Sequence, residues 1–175
     1  MESRAGTINE AGFISDLTRK GFTKNQCLGE VISNSIDADA TDIRFSEKDN
    51  KVFMIDNGNG MNDTDINNMF DMYRSNHCDE EKMGVSGIGG KVALYILSNI
   101  SNVIIYTQKK NNPMYRIICP WHTIKRGKKY IGMISHTPCD TTIIDYINKN
   151  ELIADKKIIN TYDSGTIIEF NNNNN

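Results

Sequence analysis

The chain has 175 residues, 38% apolar and 24% charged, with a formal net charge of −2 and a pI of about 5.9. That length suffices for one domain with a sizeable core, and the near-neutral charge argues against a broad basic field for nucleic acid or an anionic membrane. The apolar runs are too short to span a bilayer, the N-terminal "MESRAGTINEAG" lacks the apolar stretch of a secretory signal, and the four dispersed cysteines fit neither a zinc site nor a disulfide framework, which points to an intracellular, reducing compartment.

In chain order, the pattern predicts a short helix over 13–20, closed by Gly21, then a stronger helix over 26–38. Leu28, Val31, Ile32, Ser35 and Ile36 form the side of that helix meant for a core. Glu30, Asn34 and Asp37 fall within about 60° of one another on the opposite side. By itself this polar stripe fits a solvated helix face as well as the wall of a site. Residues 41–47 and 51–56 alternate like two strands around the turn "KDN". "DNGNGM", Asp56 to Met61, then places a carboxylate and two glycines, Gly58 and Gly60, at the end of an apolar strand. Such a stretch makes a tight turn, and it also lets backbone approach a ligand closely.

A short helix is expected over 63–70, followed by a polar, irregular stretch. "GVSGIGGK", Gly84 to Lys91, carries four glycines in seven residues ahead of a helix. Clustered N–H donors at a helix N-terminus suit a phosphate, although the stretch is neither a Walker A loop nor a Rossmann fingerprint. Strands are expected over 102–110 and 114–120, over 128–136, over 141–147 with a helix as the alternative, and over 165–170. "KRGKK", 125–129, is the one basic cluster and reads as a solvated turn or a DNA or partner contact. Asn and Ile supply about a quarter of the chain, so an Asn counts as functional only by its position. The expected organisation is one domain over 1–170 with an Asn-rich tail over 171–175. The expected fold class is α+β, with helices on one face of a mixed, mostly antiparallel sheet.

In order and spacing, four stretches resemble the boxes of the GHKL ATPase superfamily, which includes the ATPase component of DNA gyrase, the large heat-shock chaperone, histidine kinases, MutL and MORC proteins. "EVISNSIDA" matches its first box, "DNGNGM" the second, "GVSGIGG" the third, and Gly165-Thr166 the fourth. The motifs are most similar to MutL- and MORC-type domains. The resemblance implies a two-layer α/β sandwich, the Bergerat fold, binding ATP with Mg²⁺. Glu30 would be the general base for the attacking water, and Asn34 would give an oxygen to Mg²⁺. Asp37 would support nucleotide binding. Asp56 would accept the adenine amino hydrogen, with Gly58, Gly60 and Met61 beside the base. Gly84, Gly87, Ile88, Gly89 and Gly90 would wrap the phosphates, and Thr166 would add a hydrogen bond near the adenine. Residues 72–83 would form a lid.

Relatives often have Gly where this chain has Asp39, so the turn after the first box is expected to differ. Lys91 reaches phosphate or points to solvent. The family's phosphate-contacting lysine lies in a following transducer domain that this chain does not reach, so slow hydrolysis is expected. The resemblance implies an ATP-driven conformational or homodimerisation switch, with DNA or a protein as further partner and no membrane. The alternatives are a non-hydrolysing nucleotide sensor and a histidine-kinase-like phosphotransfer domain.

Overall fold

The structure, a computed structural model, describes residues 23–69, 89–97, 102–119 and 134–171. The first described helix, α1 (Lys24–Asp37), is set by its ends. Thr23 and Gln26 form a capping box: the Gln26 N–H donates to Thr23 Oγ1 at 3.3 Å, and the Thr23 N–H donates to Gln26 Oε1 at 2.8 Å. At the far end, the Asp39 N–H donates to the Ile36 carbonyl at 2.9 Å and the Ala40 N–H to the Ser35 carbonyl at 3.0 Å. This is the Schellman pattern, with Asp39 in the left-handed position at φ +62°. The turn therefore does not differ as expected. Asp39 takes the glycine conformation, and Asn59 Nδ2 donates to its carboxylate at 2.7 Å.

Strands β1 (Ile43–Lys48) and β2 (Lys51–Asp56) pair antiparallel across Asp49 and Asn50, both at positive φ. That is the backbone of a two-residue hairpin turn whose twist matches the strands. The next elements are α2 (Asp63–Met69), α3 (Gly89–Leu97), β3 (Val103–Gln108), β4 (Met114–Cys119) and β5 (Ser135–Cys139). They are followed by α4 (Ile143–Lys149), α5 (Lys156–Ile159) and β6 (Gly165–Asn171). The six strands form one sheet in the order β1-β2-β6-β3-β4-β5, and every pairing among them is antiparallel rather than mixed.

Three segments depart from expectation, the first being the strand expected over 128–136, which is β5 at Ser135–Cys139, with 128–133 outside the described residues. "TTIIDYI" is helical, because Thr142 caps it by accepting from the Asp145 N–H at 3.1 Å, and Ile143 and Ile147, four apart, are both fully buried. Asn171, assigned from sequence to the tail, ends β6 opposite Lys51.

Strand alternation sorts the core onto two faces. On one, Met54, Val103, Ile105, Ile117 and Ile168 pack with Cys27 and Val31 of α1, Ile66 of α2 and Ala93 and Leu94 of α3. On the other, Phe53, Ile55, Tyr106 and Ile167 pack with Ile143, Ile147, Ile159 and Tyr162. The α+β sandwich is present, and its helical layer is α1, α2 and α3. The second face, which the sequence left without helices, carries the short α4 and α5. Among the described residues, no helix is long and apolar enough to cross a membrane.

Candidate functional site

α1 crosses the sheet where β2 ends and β6 begins. Its polar side is partly covered, because α3 opens against it: Glu30 is half-buried, while Asn34 stays exposed. A Cβ on Gly89 would collide with the Glu30 carboxylate, and one on Gly90 would stand 2.5 Å from Asn34 Nδ2. The missing side chains at these two positions let Glu30 and Asn34, one helical turn apart, lie against the positive N-terminal end of α3 as they stand. The opposite stripe is less regular than its spacing suggests. Val31 and Ser35 are buried and Leu28 and Ile32 half-buried, but Ile36 is 50% exposed.

Ser35 faces inward for a polar reason. Its hydroxyl donates to Asp56 Oδ2 at 2.9 Å. Asp56 is 4% exposed, and its Oδ1 accepts from the Gly58 N–H at 3.0 Å and the Thr166 N–H at 3.2 Å. Burial raises the Asp56 carboxyl above its ordinary value, against the pull of the hydrogen bonds from Gly58, Ser35 and Thr166. An ionised carboxylate has about four acceptor positions. Among the described residues three donors reach this one, which leaves one position on Oδ2 open. A buried anion with an unfilled lone pair suits a ligand that brings an N–H donor.

The rest of "DNGNGM" holds the chain around that carboxylate. Asn57 Oδ1 accepts from the Thr41 and Asp42 N–H groups at 2.9 and 2.8 Å, tying the α1–β1 junction to the end of β2. The Asn59 N–H donates to the Ala38 carbonyl at 2.7 Å. Gly60 sits at φ +61° with the Gln108 carbonyl where a Cβ would be, so any side chain there is both strained and blocked. The half-buried Met61 packs against the helix-side core.

Asp56, Thr166 and Thr107 stand in register as one row across β2, β6 and β3. Thr107 is fully buried. Its Oγ1 accepts from the Met61 N–H at 2.9 Å and lies 3.2 Å from both the Gly165 carbonyl and Thr166 Oγ1.

The structure thus brings Glu30, Asn34, Gly89 and Gly90 together on one flank of α1. Asp56, Gly58, Gly60, Met61 and Thr166 gather beneath it, joined to α1 through Ser35. Asp37 closes α1, half-buried. Lys91, at 4% exposure, does not point to solvent, because α3 is packed nearly all round. Gly84, Gly87, Ile88, the expected lid over 72–83 and the basic cluster over 125–129 lie outside the described residues. Sequence reasoning missed Ser35, counted with the apolar stripe, and Thr107. Each had a signal: a hydroxyl at an inward-facing position of an otherwise apolar stripe or strand.

Among the described residues no group of three or more His, Cys, Asp or Glu could hold a metal. Mg²⁺ needs no such cage, since it is usually held by one or two protein oxygens with substrate phosphates and water. Asn34, expected to give one such oxygen, lies on the flank of α1 that meets the start of α3. Free thiols occur at Cys27, Cys119 and Cys139.

This geometry agrees with what the chain is similar to. DNA mismatch repair protein Mlh3 of Homo sapiens is 28% identical over 127 residues, covering 69% of this chain and 9% of that protein. Residues 22–153, most of the chain, match the family described as histidine kinase-, DNA gyrase B-, and HSP90-like ATPase. The chain belongs to that GHKL ATPase family, a family of ATP-binding domains.

Proposed function

We propose that this domain binds Mg·ATP, hydrolyses it slowly, and serves as a nucleotide-driven conformational or homodimerisation switch of MutL or MORC type. The observation that carries the reading is Asp56: a buried carboxylate, braced by three donors, with one acceptor position left. The adenine amino group is the donor proposed for it. Gly58, Gly60 and Met61 border the base, and Thr166 meets its edge. Asp37 supports binding from the end of α1. The glycines from Gly84 to Gly90, with Ile88 among them, cradle the phosphates beside Lys91, where the start of α3 favours negative charge. Asn34 holds Mg²⁺, which neutralises phosphate charge when bound. Glu30, beside Gly89, takes the proton of the attacking water.

The free thiols support a reducing, intracellular setting. Likeness to a DNA mismatch repair protein supports DNA or a DNA-bound protein as the partner of the switch.

Mg·ATP at millimolar concentration should raise the melting temperature, and Asp56→Asn should abolish the rise. No shift in the wild type would overturn the nucleotide site. Glu30→Ala should keep the shift but lose phosphate release. Release that persists in Glu30→Ala removes Glu30 as the base, and binding without release in the wild type makes the domain a sensor.

A further inference from the structure

We infer that Ser35 is a positioning residue that keeps Asp56 an acceptor toward the nucleotide base, an inference that rests on the nucleotide reading above. Both side chains are buried, each residue 4% exposed. The two oxygens of Asp56 differ. Oδ1 accepts from the Gly58 and Thr166 N–H groups at 3.0 and 3.2 Å. A backbone N–H only donates, so a proton on Oδ1 would face a donor. A proton added to Asp56 must therefore sit on Oδ2, which holds the Ser35 hydroxyl at 2.9 Å and the open position.

Of the three donors, Ser35 is the one that could reverse, since a hydroxyl both donates and accepts. Its other acceptor is the Val31 carbonyl, one turn back at 3.4 Å, against 2.9 Å to Asp56 Oδ2. Turning to Val31 exchanges a short, charge-assisted bond for a long, neutral one. The Ser35 proton therefore stays on Asp56, and an added proton is left the open position. There it would meet the N–H of the base, donor against donor. The ionised carboxylate is the state that satisfies Ser35 and the base together, and the Ser35 bond pulls the Asp56 carboxyl down against burial. The groups acting on Asp56 are uncharged: Ser35 from α1, Gly58 after β2 and Thr166 from β6. Tyr162, after α5, is a titratable neighbour, and burial pushes its hydroxyl far up, so it stays neutral. Asp42 and Arg44, beside Tyr162, pair with each other at 2.7 Å.

Two measurements on the whole chain test this. The first is the affinity for Mg·ATP from about pH 8 to about pH 4, by calorimetry, wherever melting shows the domain folded. The phosphates of ATP titrate alike with every variant, so a difference between profiles belongs to the protein. Wild-type affinity should fall toward acid, and in Ser35→Ala the fall should begin about one pH unit higher. Ser35→Cys, similar in shape but a weak donor, should follow Ser35→Ala, and Ser35→Thr should follow the wild type. The second is the isotope-labelled Asp56 carboxyl resonance without nucleotide, which should titrate at higher pH in Ser35→Ala than in the wild type. A Ser35→Ala affinity profile that superposes on the wild type's overturns the role of Ser35. So does a Ser35→Cys profile like the wild type's, which would make the effect one of shape. A wild type that binds no Mg·ATP overturns the nucleotide reading instead. If the carboxyl titration still moves in that case, Ser35 is a structural donor only, and its role toward the base falls.

Discussion

Two neighbouring rows of the sheet divide its work. Asp56, Thr166 and Thr107 lie side by side across β2, β6 and β3, and one residue away lie Ile55, Ile167 and Tyr106. The first row faces α1 and is a chain of hydrogen bonds. The second faces α4 and α5 and is wholly buried in their core. A strand sends successive side chains to opposite faces, so one step of register separates chemistry from packing. Changes in the apolar row should therefore remove stability and leave ligand preference alone. Changes in the polar row should alter binding out of proportion to stability.

The largest effect belongs to the apolar row. Ile167 is fully buried among the second-face residues, and Ile167→Ala should remove about 2–5 kcal/mol in urea unfolding. The folded fraction should keep the wild-type affinity for Mg·ATP. A change in that affinity would show that the two rows are coupled through the backbone and would break the comparison.

A smaller effect is expected where α1 touches the polar row. Ser35→Ala deletes the 2.9 Å donor to Asp56. A hydrogen bond to a charged group contributes about 1.5–3 kcal/mol, and alanine returns about 0.5 kcal/mol of helix propensity. A net loss of about 1–2.5 kcal/mol at pH 7 should follow, and it should shrink when the same change is made in Asp56→Asn. A double-mutant cycle in urea measures this. Equal losses in both backgrounds would mean that the carboxylate draws nothing from Ser35.

This division also explains what was legible in the sequence. Alternation in "KVFMID" and "GTIIEF" revealed the strands, and the four boxes revealed which ends of them mattered. Ser35 and Thr107 stayed hidden because their importance lies in contacts 21 and 58 or 59 residues away in the chain, and local patterns do not report such contacts. α4 was ambiguous because "TTIIDYI" is rich in β-branched residues that favour strands, and only its cap and the burial of Ile143 with Ile147 decide for a helix. Asp39 misled in the other direction. Its sequence argued for a changed turn, yet the turn is kept, with Asn59 on its carboxylate.

The smallest stability effect, and the largest contrast with function, should come from Asp56→Asn. Burial holds the Asp56 carboxyl above its ordinary 3.8. A group whose pKa is raised on folding contributes stability that is fully present below its unfolded pKa and is lost as pH rises through the folded one. Above that raised value the charged carboxylate therefore works against the fold, and there the Asn variant should match or exceed the wild type, by no more than about 1 kcal/mol. As pH falls through the raised value toward 3.8, the wild type should gain on the variant. Paired urea midpoints across that window measure the gap, and the Mg·ATP shift should be absent in the variant throughout. If the wild type leads at pH 7 and its lead shrinks on acidification, the three donors outweigh burial. Asp56 would then be a stabilising member of the row, like Ile167 in the other, and the division between the two rows would fail at its centre.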